Sequence, residues 1–172
     1  MNRKIAFASI MLVIIPVTLF YMNSPTTNAT DWITGIPGLM ATTAISSGAG
    51  NTTSIMINGV ILSVELAETP AAQQRGLSGR PSLPADHGML FIMQRPDYWG
   101  FWMIDMKFPL DIIWFDSTRQ VIYTEPNLPP CTPQNCPTIT PTSKSLYVLE
   151  VNAGFIAAHQ VKMGTTFTFL NH

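Results

Sequence analysis

Hydrophobic and polar residues alternate over short stretches from Ser54 onward, which is the pattern of half-buried β-strands. In residues 60–66 every second side chain is apolar, so the apolar residues share one face of a strand. Asn58 and Gly59 stand between this stretch and an earlier β-rich one. Because both central residues of a type I′ turn need positive φ, this dipeptide predicts a hairpin.

Helical signals are few. Thr69 offers an N-cap, Pro70 suits the first helical position and Gly76 suits the residue after the end, which together predict a helix over 70–75. Residues 154–160 fit a second short helix. Further β-type segments, separated by Pro, Gly and Asp, are predicted at 88–94, 100–104, 110–116, 120–125, 145–151 and 166–170.

Many short strands and few helices predict a mostly β fold, a small barrel-like antiparallel domain over residues 54–172 with one or two short helices. Closure would remove the exposed sheet edges that favour aggregation. The chain has no internal repeat, no Gly-rich phosphate loop and no nucleophile elbow. No cofactor is therefore predicted.

The N-terminal segment predicts export. Arg3 and Lys4 precede an uncharged apolar stretch over 5–22, long enough to cross a bilayer as a helix. Its length favours a retained signal anchor over residues 1–22, a single pass with the later domain on the extracytoplasmic side of the cytoplasmic membrane. A cleaved signal peptide is the alternative, and it predicts a secreted protein. Residues 23–53 are Thr-, Gly- and Ser-rich and predict a flexible tether.

Composition narrows the partners. Only 11% of residues are charged, the formal net charge is -1 and the basic residues are scattered, which argues against a nucleic-acid partner. Cys131 and Cys136 predict a small disulfide ring in an oxidising compartment. Zinc is the alternative for the two cysteines, but the sequence offers no second Cys pair and no paired His spacing, so no metal site is predicted.

The order and spacing of several motifs resemble one known family. These motifs are Arg-Gly-Leu at 75–77, Gly-Met-Leu-Phe at 88–91, Trp-Met at 102–103, Pro-Leu-Asp at 109–111, and Leu-Glu at 149–150 followed by Ala-Gly at 153–154. The chain from about 54 to 170 resembles the domain of unknown function 192 family, also called uncharacterised protein family 127. The resemblance implies a compact, mostly β, often exported domain with no established activity. The chain departs from the family pattern at Ser78, where Met is usual, and over 104–106, where Lys-Asn-Thr is usual.

Charged residues stand out in the most apolar part of the chain, residues 100–116. Strand alternation places Asp111 among apolar neighbours, where an ionised carboxylate needs a partner. Arg75 and Lys107 are candidate partners, and Arg75 is preferred because guanidinium binds carboxylate in a bidentate manner. Glu150 faces the same problem. The favoured interpretation is a structural ion network of Arg75, Asp111 and Glu150.

A candidate ligand-binding cleft is the second interpretation. Its floor would be the polar network, its walls Trp102 and Tyr147, and its mouth Asp105 and Lys107. A third is hydrolysis by a carboxylate cluster of Asp105, Asp111 or Glu150, for which the sequence gives no separations. No catalytic residue is assigned.

Two classes of function follow. The first is a membrane-tethered binding or protein-interaction module whose partner is a small ligand or an extracytoplasmic protein. The second is a hydrolase-like or ligand-modifying enzyme that uses the carboxylates. The binding module is the first hypothesis and the enzyme is the alternative.

Overall fold

The computed structural model describes residues 51–170. The predicted anchor over 1–22 and nearly all of the predicted tether lie outside these residues. Within 51–170, no helix combines the length and the apolar character needed to cross a membrane.

Seven strands and two short helices make up the described domain. The hairpin forms as predicted around Asn58 and Gly59, which have φ values of 47° and 82°. The elements in chain order are β1 (Thr52–Ile57), β2 (Val60–Ala67), α1 (Pro70–Arg75), β3 (His87–Asp97), β4 (Leu110–Phe115), β5 (Val121–Leu128), β6 (Ser145–Asn152), α2 (Phe155–Ala158) and β7 (Phe167–Leu170).

The strands form one sheet in the order β5-β4-β6-β3-β2-β1-β7. All neighbours pair antiparallel except β2 and β3, which run parallel. The prediction of a purely antiparallel domain is therefore wrong at one pair. The reason is α1, since parallel neighbours need a crossover connection and the helix lies in the connection between these two strands.

The sheet is not closed into a barrel, so the barrel-like prediction is corrected. The edge strands β5 and β7 meet only at one bridge, Gln120 to Thr166, at the turn that precedes β5. The sheet nevertheless curls, because the ring of Phe167 in β7 packs 4.9 Å from that of Phe115 in β4 and 5.5 Å from that of Tyr147 in β6. The mostly β class is confirmed.

Each face of the curled sheet carries its own hydrophobic cluster. The first cluster draws residues from all seven strands and α2, and includes Ile113 and Phe115 of β4. The second includes Ile112 and Trp114 of the same strand, together with side chains of the loops that cover the other face. The six residues of β4 are all buried, as the alternation over 110–116 predicted. The face on which a side chain lies therefore decides what it can contact.

Residues 100–104 do not form the predicted strand. Phe101 makes an isolated bridge to Ile139, and Ile104 makes another to Cys131. The segment is thus a loop held from its sides by the proline-rich stretch before β6. Its apolar residues cover the second cluster instead of extending the sheet.

Candidate functional site

The helix α1 is fixed across the end of the parallel β2–β3 pair. Thr69 accepts a hydrogen bond from the N–H of Ala72 at 3.2 Å, which is the predicted N-cap. The side-chain amide of Gln73 donates to the carbonyls of Ala67 in β2, at 3.1 Å, and Ile92 in β3, at 3.0 Å. One glutamine therefore satisfies two strand carbonyls and anchors the helix.

The turn after α1 is tied to the 103–106 turn. Ser78 Oγ donates to the carbonyl of Ile104 at 3.0 Å, and the N–H of Gly79 donates to the carbonyl of Asp105 at 3.0 Å. On its other side, the carbonyl of Met103 accepts from the N–H of Cys131 at 3.2 Å. Two loops far apart in sequence thus hold the segment that carries the exposed Trp102.

Between these two supports lies a cavity of about 330 Å³. Such a volume is within the range of small-molecule sites, which are mostly apolar with few polar groups. The lining comes from α1 and its following turn, from β3, from the 99–106 segment and from β6, and consists of Pro70, Gln73, Gln74, Arg75, Gly76, Leu77, Ser78, Phe91, Met93, Trp99, Gly100, Phe101, Trp102, Met106 and Glu150.

Glu150 is the acidic residue of this lining. It is 5% exposed, and its Oε2 atom is buried without a hydrogen-bond partner. A Cβ placed on Gly76 would lie 3.7 Å from Oε2 and 3.5 Å from the ring of Phe91, so the carboxyl lies directly behind Gly76 in the cavity wall. Burial raises the pKa of Glu150 to about 8, and the guanidinium of Arg80 opposes part of that rise.

Arg80 pairs with a different carboxylate. Its guanidinium makes a two-pronged ion pair with Glu65 of β2, one contact being Nη2 to Oε2 at 2.8 Å. This hydrogen-bonded pair lowers the pKa of Glu65. Arg80 therefore acts on Glu150 only through space, since its side-chain hydrogen bonds are made to Glu65.

The predicted ion network of Arg75, Asp111 and Glu150 is wrong. Asp111 is fully buried, yet its partners are backbone groups: the N–H groups of Asn127 and Gly154 donate to Oδ1 at 2.8 and 3.1 Å, and that of Ile156 donates to Oδ2 at 2.7 Å. The ion pairs found within 51–170 are Arg80–Glu65, His87–Asp86 and Arg95–Asp97. Asp111 instead ties the start of α2 and the β5 edge to β4.

Sheet register explains the error. Glu150 of β6 lies opposite Ile112 of β4, so these two share a face, and Asp111 lies opposite Val151 on the other face. Tyr147 is also on that other face, packed against the first cluster, so it does not form a wall of the cavity. This separation follows from strand pairing, which no local pattern in the sequence determines.

The remaining predicted site residues divide between two places. Arg75, Trp102 and Glu150 line the cavity. Asp105 and Lys107 are exposed and lie outside its lining; Asp105 occupies a turn with φ 59° and contributes its backbone carbonyl. The carboxylates Asp105, Asp111 and Glu150 therefore do not form one cluster.

Sequence reasoning missed most of the apolar wall. Phe91 and Phe101 pack edge to face with centroids 4.8 Å apart, and Met93 and Met106 complete the interior with Trp99. The sequence feature that could have indicated this wall is the Met and aromatic content of residues 89–103, but the same composition is equally typical of an ordinary hydrophobic core. Most of these residues do belong to the second cluster, and the cavity opens where that cluster stops.

The two cysteines come together in the proline-rich loop. Cys131 and Cys136 are within disulfide distance, with Cα atoms 5.2 Å apart. In residues 51–170, no grouping of three or more His, Cys, Asp or Glu side chains is placed to hold a metal ion.

The fold and site define a class: a small domain of one curled, seven-stranded mixed sheet with a crossover helix and an adjoining aromatic cavity. The chain belongs to the DUF192 family, described as "Uncharacterized ACR", which it matches over residues 53–169. The family predicted from the sequence motifs is thereby confirmed. No curated protein gives a significant match.

Two solved structures are similar to the chain. A protein of unknown function from Novosphingobium aromaticivorans is 29% identical with a TM-score of 0.66, over 72% of this chain and 89% of that chain. A candidate transcription regulator from Sinorhizobium meliloti is 26% identical with a TM-score of 0.65, over 70% of this chain and 95% of that chain. Because this domain accounts for nearly all of both crystallised chains, a fragment that starts near residue 51 is expected to fold by itself.

Proposed function

We propose that this domain is a binding module that takes a small, mainly apolar ligand into the cavity beside α1, with Glu150 as its polar anchor. The observation that carries the proposal is the buried, unpartnered Oε2 atom of Glu150 in an aromatic cavity. A buried polar atom without a partner costs free energy, so a fold that keeps one beside an open cavity is suited to a ligand that supplies the missing hydrogen bond.

The construction of the walls supports the same proposal. Side-chain and backbone hydrogen bonds fix both α1 and the 103–106 turn before any ligand arrives. A preformed site loses less conformational entropy on binding. Trp102 is 44% exposed at the cavity, so its ring is available to a ligand.

Fragment screening by ligand-observed NMR tests the proposal on the 51–172 fragment. Fragments with an aromatic body should bind, and Trp102→Ala should weaken them. Tyr98→Ala is the matched control, since Tyr98 is 53% exposed and does not line the cavity. If the two variants affect binding equally, or if no fragment binds, the cavity is not a ligand site.

Catalysis is the second candidate, because a carboxyl with a pKa of about 8 can act as a general acid at neutral pH. Hydrolysis by a carboxylate pair would need a second carboxylate in the cavity, and neither Asp105 nor Asp111 lines it. Binding is therefore the better supported function. Turnover of chromogenic ester or glycoside substrates that is abolished in Glu150→Gln would favour catalysis instead.

The proposed setting is the outer face of the cytoplasmic membrane, with residues 1–22 as a retained anchor. Its support is the apolar stretch over 5–22 after Arg3 and Lys4. Protease treatment of intact spheroplasts should remove the domain while the protein fractionates with membranes. A soluble mature protein that begins near residue 30 would replace the anchor with a cleaved signal peptide.

The regulator description of the Sinorhizobium protein has little support in this chain. Residues 51–170 contain nine acidic and seven basic residues, so this domain has no excess of positive charge to attract the phosphates of DNA.

A further inference from the structure

We propose that the ligand is a small organic cation, an amine on an aromatic or aliphatic body, whose ammonium group binds against the Glu150 carboxylate. This inference rests on the proposed function and specifies its ligand class. Three features carry it: the unpartnered acceptor in the interior, the aromatic rings around it, and the pairing of the Arg80 guanidinium with another carboxylate.

The first feature is the unpartnered acceptor. Oε2 of Glu150 is buried behind Gly76, 3.7 Å from where a Cβ at that position would lie, and because no protein group donates to it, a small donor packed against Gly76 would be its first hydrogen-bond partner. An ammonium group is the donor that offers three N–H bonds and a counter-charge in one small group. Charge-assisted hydrogen bonds of this kind are about twice as strong as neutral ones.

The aromatic rings provide the second feature. Phe91, Phe101, Trp99 and Trp102 all line the cavity, and Phe91 lies beside the carboxyl. Aromatic faces attract cations through the ring quadrupole, and they do so most strongly where water is excluded. Rings together with a carboxylate make a site that favours an ammonium ion over a neutral or anionic group.

The charged neighbours of Glu150 provide the third. Arg80 is paired through its guanidinium with Glu65, so its charge is largely balanced. Arg75 lines the cavity but is an exposed residue, where solvent and salt screen its repulsion of a cation. On the sheet itself, β3 and β4 place only the apolar side chains of Met89 and Ile112 opposite Glu150.

Binding of a cation must then release a proton. The empty site holds Glu150 largely protonated at neutral pH, since its pKa is about 8. The ammonium ligand keeps its own protons, the carboxyl gives one to solvent, and the complex is an ion pair. Affinity should therefore rise about tenfold per pH unit between pH 6 and 7.5 and level off above pH 8.

Isothermal titration of the 51–172 fragment tests this with three probes that share one body: phenethylamine, 2-phenylethanol and 3-phenylpropionate. Phenethylamine should bind most tightly, with the stated pH dependence and release of close to one proton. Glu150→Gln should remove the pH dependence and weaken the amine about tenfold or more, while 2-phenylethanol changes less than about threefold. Glu68→Gln, at an exposed glutamate, is the control and should bind like wild type.

The outcomes separate the two proposals. If the alcohol or the carboxylate binds as tightly as the amine, or if amine affinity does not change with pH, the cation inference is wrong and the apolar binding site stands. If none of the probes binds, both proposals are overturned.

Discussion

Replacement of Glu150 by glutamine should stabilise the domain at alkaline pH. The amide matches the shape of the carboxyl but cannot ionise, whereas wild type must either bury a charge or hold a proton. Because burial raises the pKa of Glu150 from 4.5 to about 8, the folded state binds more protons than the unfolded state throughout that interval. The favourable contribution of the protonated carboxyl is complete below about pH 4.5 and is lost as the pH rises to about 8.

The size of the effect follows from the same values. Each pH unit corresponds to about 1.4 kcal/mol, so the full interval sets an upper limit of roughly 5 kcal/mol. Local relaxation and water entry at the cavity reduce this, and an advantage of about 2 to 4 kcal/mol for Glu150→Gln is expected at pH 8.5. At pH 5 the two proteins should agree within about 1 kcal/mol.

Urea denaturation of the 51–172 fragment from pH 5 to 9 measures the difference directly. Glu68→Gln serves as the exposed control, and its unfolding free energy should follow that of wild type. Arg80→Met adds a second variant. It removes the cation that lowers the pKa of Glu150, so the pH-dependent loss of stability should continue to a higher pH than in wild type. The free energy of unfolding should also be lower at every pH, because Glu65 loses its partner. Parallel curves for Glu150→Gln and wild type would refute the conclusion that Glu150 is buried and protonated.

Three further predictions concern structure elsewhere in the domain. Asp111→Asn should lower the free energy of unfolding by about 2 to 4 kcal/mol, since an NH₂ group would face a backbone N–H. Asp105→Asn should change it by less than about 0.5 kcal/mol, because asparagine tolerates positive φ. Urea titrations that give equal losses for the two variants would contradict this. Mass spectrometry after alkylation without reductant should find Cys131 and Cys136 bridged, and reduction should cost at most about 2 kcal/mol; two alkylated thiols would reject the bridge. Gly88→Ala should lower thermal stability by about 1 to 3 kcal/mol, because its Cβ would lie 2.9 Å from a backbone oxygen of the adjacent strand, and an unchanged melting curve would show that the strands can separate there.

Local features of the fold were predictable from local sequence. The hairpin at Asn58-Gly59 and the helix after Thr69 depend on φ preferences and caps that act within a few residues. At Gly76 the backbone has positive φ as predicted, but with ψ of -137° it is not the left-handed helical conformation. The parallel β2–β3 pair was not predicted, although the predicted helix between these strands is compatible with the crossover that parallel neighbours need.

The candidate site was less predictable because it depends on strand pairing. The alternation over 110–116 separated Asp111 from Ile112 correctly, but nothing local fixes which of them lies opposite Glu150. Arg75 was chosen as a carboxylate partner for its chemistry, but it is Arg80, five residues later, that pairs with a glutamate of the sheet, Glu65. The difference arises in the turn after α1, where Gly76 and Gly79 both have positive φ and change the direction of the chain before Arg80.

The two buried carboxylates make the distinction between support and binding testable within one sheet. Asp111 accepts three backbone hydrogen bonds, so its negative charge is matched by donors that the fold supplies. Glu150 lies on the opposite face with Oε2 unpartnered. Substitution by the neutral amide should therefore have opposite effects on stability. Asp111→Asn should destabilise the domain across the pH range, and Glu150→Gln should stabilise it increasingly as the pH rises. Because a ligand that donates to Glu150 would recover the missing interaction, addition of phenethylamine should stabilise wild type more than Glu150→Gln, whereas equal stabilisation of both would place the amine elsewhere on the domain.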